Sequence, residues 1–104
     1  ADFVFDARCL PNPHWHPQLR PYTGQDPPVC DFLEGQESVA RMLGRIEDFI
    51  IEWLPCFEHE GRAYLTLAIG CTGGQHRSVY LAEQLNRCLL RLGHKTTLSH
   101  RELA

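Results

Sequence analysis

The run Gly70 to Ser78, Gly-Cys-Thr-Gly-Gly-Gln-His-Arg-Ser, lies between two segments of different periodicity and constrains this chain more than any other feature. Before it, Tyr64 to Ile69 is nearly continuously apolar, the pattern of a central parallel strand covered on both faces. After it, Val79, Ala82, Leu85, Leu89 and Leu92 recur at helical spacing and stop at Gly93, a natural residue just beyond a helix end. A strand that enters a helix through a double glycine is expected to bind an anion. Gly73 and Gly74 can take backbone angles closed to other residues, and the free N–H groups and positive dipole end of the following helix attract negative charge. Arg77 can fork its guanidinium onto phosphate oxygens, and Thr72 and Ser78 supply hydroxyls. The loop therefore reads as a phosphate-binding loop at a strand-to-helix junction.

The rest of the chain frames that junction. Phe3 to Arg8 alternates as a short strand with Asp6 and Arg8 at or near its carboxyl end. Six prolines between Cys9 and Pro28 exclude regular helix or sheet and give one long stiffened loop, a kind of segment that tends to be functional. Val29 to Leu33 is expected to form a short helical turn. Val39, Met42, Leu43, Ile46, Phe49, Ile50, Trp53 and Leu54 then trace a buried helix face up to Pro55, and Lys95 to Ser99 is expected to be a third strand. Strand, long connection with helix, strand, helix, strand implies an α/β fold, a small parallel sheet with crossover helices. Ligands in such sheets bind beyond the carboxyl ends of the strands, where Asp6, Arg8 and the glycine loop can face one crevice.

A length of 104 residues with 43% hydrophobic content suits one domain with one core. Strand character from the third residue, with no initiator Met, leads us to expect a piece of a larger protein. No apolar run reaches membrane-spanning length, and five cysteines without a C-x-x-C pair read as reduced thiols of a cytoplasmic protein. No ligand spacing supports a metal site. Charge is divided unevenly: residues 1–61 hold four Arg against eleven Asp and Glu, whereas residues 62–104 hold six Lys and Arg against Glu83 and Glu102. The basic part is the part that carries the glycine loop, which suits an anionic ligand, although an acidic and a basic solvated helix would give the same imbalance.

The loop is neither a Walker A sequence nor a dinucleotide fingerprint. It does fit Cys, five residues, Arg, Ser, and so resembles the phosphate loop of cysteine-dependent phosphatases, in which the thiolate of Cys71 beside His76 and Arg77 would attack phosphorus. Cys71 is equally readable as a small residue at a strand end. Such catalysis needs a general acid, with Asp6 and Asp26 as candidates, but no phosphatase motif surrounds either. His14, in Pro-Asn-Pro-His-Trp-His-Pro, sits on the stiff loop that can fold over the phosphate. On the second helix Arg87 and Arg91, followed by Lys95 and Arg101, form a basic face suited either to RNA phosphates or to solvent.

Three runs carry a more specific resemblance: Asp-Ala-Arg-Cys-Leu-Pro-Asn-Pro-His-Trp (6 to 15), Leu-Arg-Pro-Tyr-Thr-Gly-Gln-Asp-Pro-Pro-Val (19 to 29) and Ala-Ile-Gly-Cys-Thr-Gly-Gly-Gln-His-Arg-Ser-Val (68 to 79). With the ending Ser-His-Arg-Glu-Leu, they resemble the C-terminal domain of the RapZ family of RNase adapter proteins. The resemblance implies a non-catalytic domain that senses glucosamine-6-phosphate, binds a small regulatory RNA and presents it to RNase E, in a homo-oligomer. It further implies an N-terminal P-loop kinase-like domain that binds ATP or GTP, no cofactor being expected in the present residues. Carried over by motif, the sugar-phosphate residues are Asp6, Arg8, His14, Thr72, Gly73, Gly74, His76, Arg77 and Ser78, and the RNA-binding residues Arg87, Arg91, Lys95 and Arg101. RNA-binding members carry a cluster of lysines and arginines just after this segment, whereas the present sequence stops at Leu103 and Ala104.

Overall fold

The computed structural model describes residues 1–61 and 64–100. Two four-residue strands, β1 (Phe3–Asp6) and β2 (Leu67–Gly70), pair in parallel with Phe3 opposite Leu67 and Asp6 opposite Gly70. Parallel strands cannot be joined by a hairpin. The chain between them accordingly runs through the proline-rich loop and two helices, α1 (Pro27–Glu34) and α2 (Glu37–His59), and a third helix, α3 (Arg77–Arg91), follows β2. This is the α/β arrangement with crossover helices that the order of elements implies. No helix among the described residues is long and apolar enough to cross a membrane.

Side-chain periodicity explains how the layers meet. Ile46 and Ile50 of α2 and Leu85 of α3 are buried against Phe5, Leu67 and Ile69 of the sheet. Edge-to-face pairs of Phe3 with Phe49 and Phe57, at 5.2 and 5.4 Å between ring centres, extend this contact along β1. A second cluster joins Leu10 and Leu19 of the proline-rich loop to Val29, Leu33, Val39 and Leu81, so the loop is anchored by its own apolar residues. Burying a Leu or Val side chain stabilises by about 1.5–3 kcal/mol, enough to hold a segment whose prolines deny it regular hydrogen bonding.

Four details depart from the sequence expectations, each for a physical reason. First, α1 begins at Pro27 rather than Val29, because prolines in the first helical positions sacrifice only N–H groups that have no helical partner. Second, α2 passes through Pro55 and continues to His59. Phe57, packed on Phe3, holds the last turn in place despite the hydrogen bond that Pro55 cannot make. Third, β2 is shorter than the apolar run, leaving Tyr64 outside it and 88% exposed, and the sheet is not covered on both faces, with Val4 of β1 71% exposed. Fourth, residues 95–99 form no strand. Gly93, at φ 89°, completes a Schellman turn in which its N–H donates to the Leu90 carbonyl and the His94 N–H to that of Leu89, both at 3.0 Å. The chain then runs back toward α3, where His100 Nε2 lies 3.2 Å from a Glu83 carboxylate oxygen. Its alternating exposure, with Thr96, Leu98 and His100 half-buried, is met by the globule and not by a sheet neighbour.

Candidate anion site

Because Asp6 and Gly70 are register partners, both strands end at the same level. From β1 comes a closed ion pair. Arg8 Nε donates to both Asp6 carboxylate oxygens at 3.0 Å, its Nη2 donates to Oδ2 at 2.7 Å, and its backbone N–H donates to Oδ1 at 2.9 Å. The Arg8 side chain, then the Arg8 N–H, hold the Asp6 carboxyl at about 2 against an ordinary 3.8, with desolvation opposing them and the charges of Arg8 and Arg77 adding to the effect. A carboxyl whose folded-state value is depressed stabilises fully above its unfolded value, so the pair's contribution is complete above about pH 3.8 and is lost as pH falls toward 2. A carbon-detected NMR titration should therefore give Asp6 a midpoint near 2. A midpoint at the ordinary value would mean that the pair does not persist in solution.

From β2 comes the loop. Gly73 and Gly74 have φ of 81° and 65°, angles that L residues avoid. The loop is tied to α3 through Cys71, whose Sγ accepts from the Ser78 N–H at 3.3 Å and donates to the Ser78 hydroxyl at 3.2 Å. Burial pushes this thiol up. The Ser78 hydroxyl, the Ser78 and Gly74 N–H groups and the charge of Arg77 outweigh it, and the net shift is downward. His76 at the head of α3 makes no side-chain cap hydrogen bond, and of the first-turn N–H groups that of Ser78 is taken by Cys71 Sγ.

Arg77 is 3% exposed, and its Nη1 donates to the carbonyls of Arg8 at 2.7 Å and Leu10 at 3.0 Å. Part of the guanidinium that sequence reasoning aims at phosphate thus buttresses the segment after β1. Its Nε, and the Nε2 of buried His76, have no partner among the described residues. His14 occupies a 3₁₀ turn at Pro13–Trp15, where its N–H donates to Asn12 Oδ1 at 3.0 Å and its carbonyl accepts from Arg20 Nε at 2.7 Å. That turn brings the His14 ring to 6.5 Å, centre to centre, from the ring of His76.

Arg77 thus reaches the Arg8 carbonyl beside the Asp6–Arg8 pair, and the His14 ring lies near that of His76, while Thr72 is exposed and the Ser78 hydroxyl is engaged by Cys71. Sequence reasoning placed Cys71 only in the phosphatase-like reading. Gly24 carried no local signal: its N–H donates to the Gln75 carbonyl at 2.8 Å, so the proline-rich loop is stitched directly to the glycine loop. On the far side of Gly24, Arg87 lines a groove of about 370 Å³ with Asp31 and Glu34, so carboxylates of α1 share its surroundings. Arg91 and Lys95 are exposed, and Arg101 lies outside the described residues.

Over all of residues 1–104 the chain matches the family described as the RapZ C-terminal domain. It is 55% identical over 103 residues to a nucleotide-binding protein of Chromobacterium violaceum, covering 99% of this chain and 36% of that protein. It is 59% identical over 103 residues to a nucleotide-binding protein of Alkalilimnicola ehrlichii, again covering 99% of this chain and 36% of the relative. The chain thus spans about a third of the length of the relatives it matches. With the family's match extending over its whole length, the chain belongs to the RapZ C-terminal domain family.

Proposed function

We propose that this chain is a non-catalytic adapter domain that senses glucosamine-6-phosphate in the crevice beyond β1 and β2. It binds small regulatory RNA through Arg87, Arg91, Lys95 and Arg101, and hands that RNA to RNase E as part of a homo-oligomer. Binding of ATP or GTP belongs to other parts of the longer protein. The observation that supports the sugar-phosphate reading is the bond from Arg77 to the Arg8 carbonyl, which brings three unlike groups near one another: the start of α3 behind two positive-φ glycines, the buried cation of Arg77, and the exposed Asp6–Arg8 pair. The first two suit a phosphate. The third suits an ammonium, since Asp6 is ionised and its carboxylate is more than half exposed.

Phosphate contacts alone do not tell an amino sugar from a neutral one, so the amine must be read by Asp6. A hydrogen bond to a charged group contributes about 1.5–3 kcal/mol, so a preference for glucosamine-6-phosphate over glucose-6-phosphate on the order of tenfold to a hundredfold is expected. Asp6→Asn should narrow that preference while leaving the affinity for inorganic phosphate largely intact. If calorimetry finds the variant as selective as the parent, another residue reads the amine.

The hydrogen bonds around Cys71 favour one competing reading, a small cysteine-dependent phosphatase using Cys71 and Arg77. That chemistry needs an acid to protonate the leaving group. Asp6, held ionised by Arg8, has no proton to give near neutrality, and Asp26 Oδ2 is engaged by the Thr23 N–H at 2.8 Å. The adapter reading therefore stands ahead of it.

A further inference from the structure

Tyr80, Gln84 and Arg87 follow one another at helical spacing and share one face of α3, and Asp31 and Glu34 likewise share one face of α1. Both faces line the groove of about 370 Å³ on the far side of Gly24. That volume falls within the range of small-molecule sites. Asp31, Glu34 and Arg87 are exposed around it, yet no ion pair closes between them among the described residues. Opposite charges carried by two helices without touching leave room for a group that joins them. The other carboxylate near Arg87, that of Glu83, is already engaged: Gln25 Nε2 donates to it at 2.8 Å and His100 Nε2 lies 3.2 Å from it.

Tyr80 is an independent observation. It is 6% exposed, it lines the groove, and its hydroxyl makes no hydrogen bond among the described residues. Burial pushes this hydroxyl's pKa up, Glu34 and Cys30 add to the rise and Arg87 opposes it, so the hydroxyl lies in the field of the other groove residues. A polar side chain withdrawn from water and left unpaired calls for a partner.

We propose that the groove between α1 and α3 binds a free basic amino acid of the lysine class, at a site separate from the anion site. Asp31 and Glu34 each receive one ammonium group, Arg87 forks onto the carboxylate, and the Tyr80 hydroxyl donates to that carboxylate. Charge selects the class. Two wall carboxylates against one guanidinium leave a single negative charge, and an amino acid with two ammonium groups and one carboxylate carries the single positive charge that complements it. A plain diamine would place its cations beside an unmatched Arg87, and an amino acid with one ammonium would leave a wall carboxylate unpaired. A bound amino acid and an RNA phosphate would compete for Arg87.

The test is calorimetric titration of this chain with L-lysine, with cadaverine, which lacks the carboxylate, and with ε-aminocaproate, which lacks the α-ammonium. L-Lysine should bind saturably at one site per chain, about tenfold or more tighter than either analogue, the difference that one charge-assisted hydrogen bond makes. Arg87→Gln should abolish the preference for lysine over cadaverine. Tyr80→Phe should weaken lysine binding about two- to tenfold, the effect of one neutral hydrogen bond, with an unchanged circular dichroism spectrum. Absence of saturable L-lysine binding to folded protein overturns the proposal and leaves Arg87 to RNA. Lysine binding that Arg87→Gln leaves unaltered in affinity and preference overturns it as well. Lysine binding with this selectivity, in a chain that does not bind glucosamine-6-phosphate, upholds the proposal and removes the sugar from the function proposed above.

Discussion

Arg77→Ala is expected to lower the stability of this chain by about 2–4 kcal/mol and to weaken sugar-phosphate binding in the same protein. The two carbonyls that Arg77 Nη1 holds belong to Arg8 and Leu10, 69 and 67 residues away, so this one side chain ties the segment after β1 to the start of α3. Hydrogen bonds from a charged donor contribute about 1.5–3 kcal/mol each, and the release of an unpartnered buried Nε–H returns about 1–3 kcal/mol of that. A single domain is stable by roughly 5–15 kcal/mol, so the variant should still fold. Its urea midpoint should fall clearly, and in conditions where it is folded its affinity for the sugar phosphate should drop on the order of tenfold to a hundredfold. An unchanged midpoint would show that the Arg77 buttress carries no weight. An unchanged affinity in folded protein would separate the buttress from the site.

The second large effect is expected at Gly24. A Cβ placed there would overlap the His76 carbonyl oxygen and lie 2.5 Å from the Tyr80 nitrogen and 2.9 Å from Val79 Cβ. Two of the three are backbone atoms of the α3 start and cannot swing aside, so either the helix or the proline-rich loop must move. Overpacking of this kind costs about 1–3 kcal/mol, and with 1 kcal/mol worth about 4–8 °C in a domain of this size, Gly24→Ala should lower Tm by roughly 10–20 °C. The same substitution at Gly44, inside α2 with nothing within 4 Å of the added atom, is a matched control. Removing a glycine from a helix interior stabilises by about 0.5–1 kcal/mol, so Gly44→Ala should raise Tm. Equal responses at the two positions would mean that Gly24 does not pack on α3 as described.

These two residues also show where reading the sequence stops. What could be read from it was local or periodic: the glycine pair, the helical spacing from Val79 to Leu89, and the strand ends that place Asp6 and the loop together. The functions of Arg77 and Gly24 were hidden because their partners lie about seventy and fifty residues away, and neither an arginine near a loop nor a glycine among prolines signals such a contact. The missing third strand is a different case. Alternate side chains at residues 95–99 are half-buried, but the Gly93 turn directs the segment back toward α3 instead of to the sheet, so the strand expected there does not form. Pro55 misled for a similar reason. A helix-breaking residue acts through a local cost, which the Phe57–Phe3 contact offsets from another element.

The central claim is that the crevice beyond the two strand ends receives a phosphorylated amino sugar. Titrating glucosamine-6-phosphate into this chain in a calorimeter tests it most directly. The account predicts saturable binding at one site per chain, tighter than that of glucose-6-phosphate. Absence of saturable heat for glucosamine-6-phosphate with demonstrably folded protein, at several temperatures so that a vanishing enthalpy does not hide it, would contradict the account.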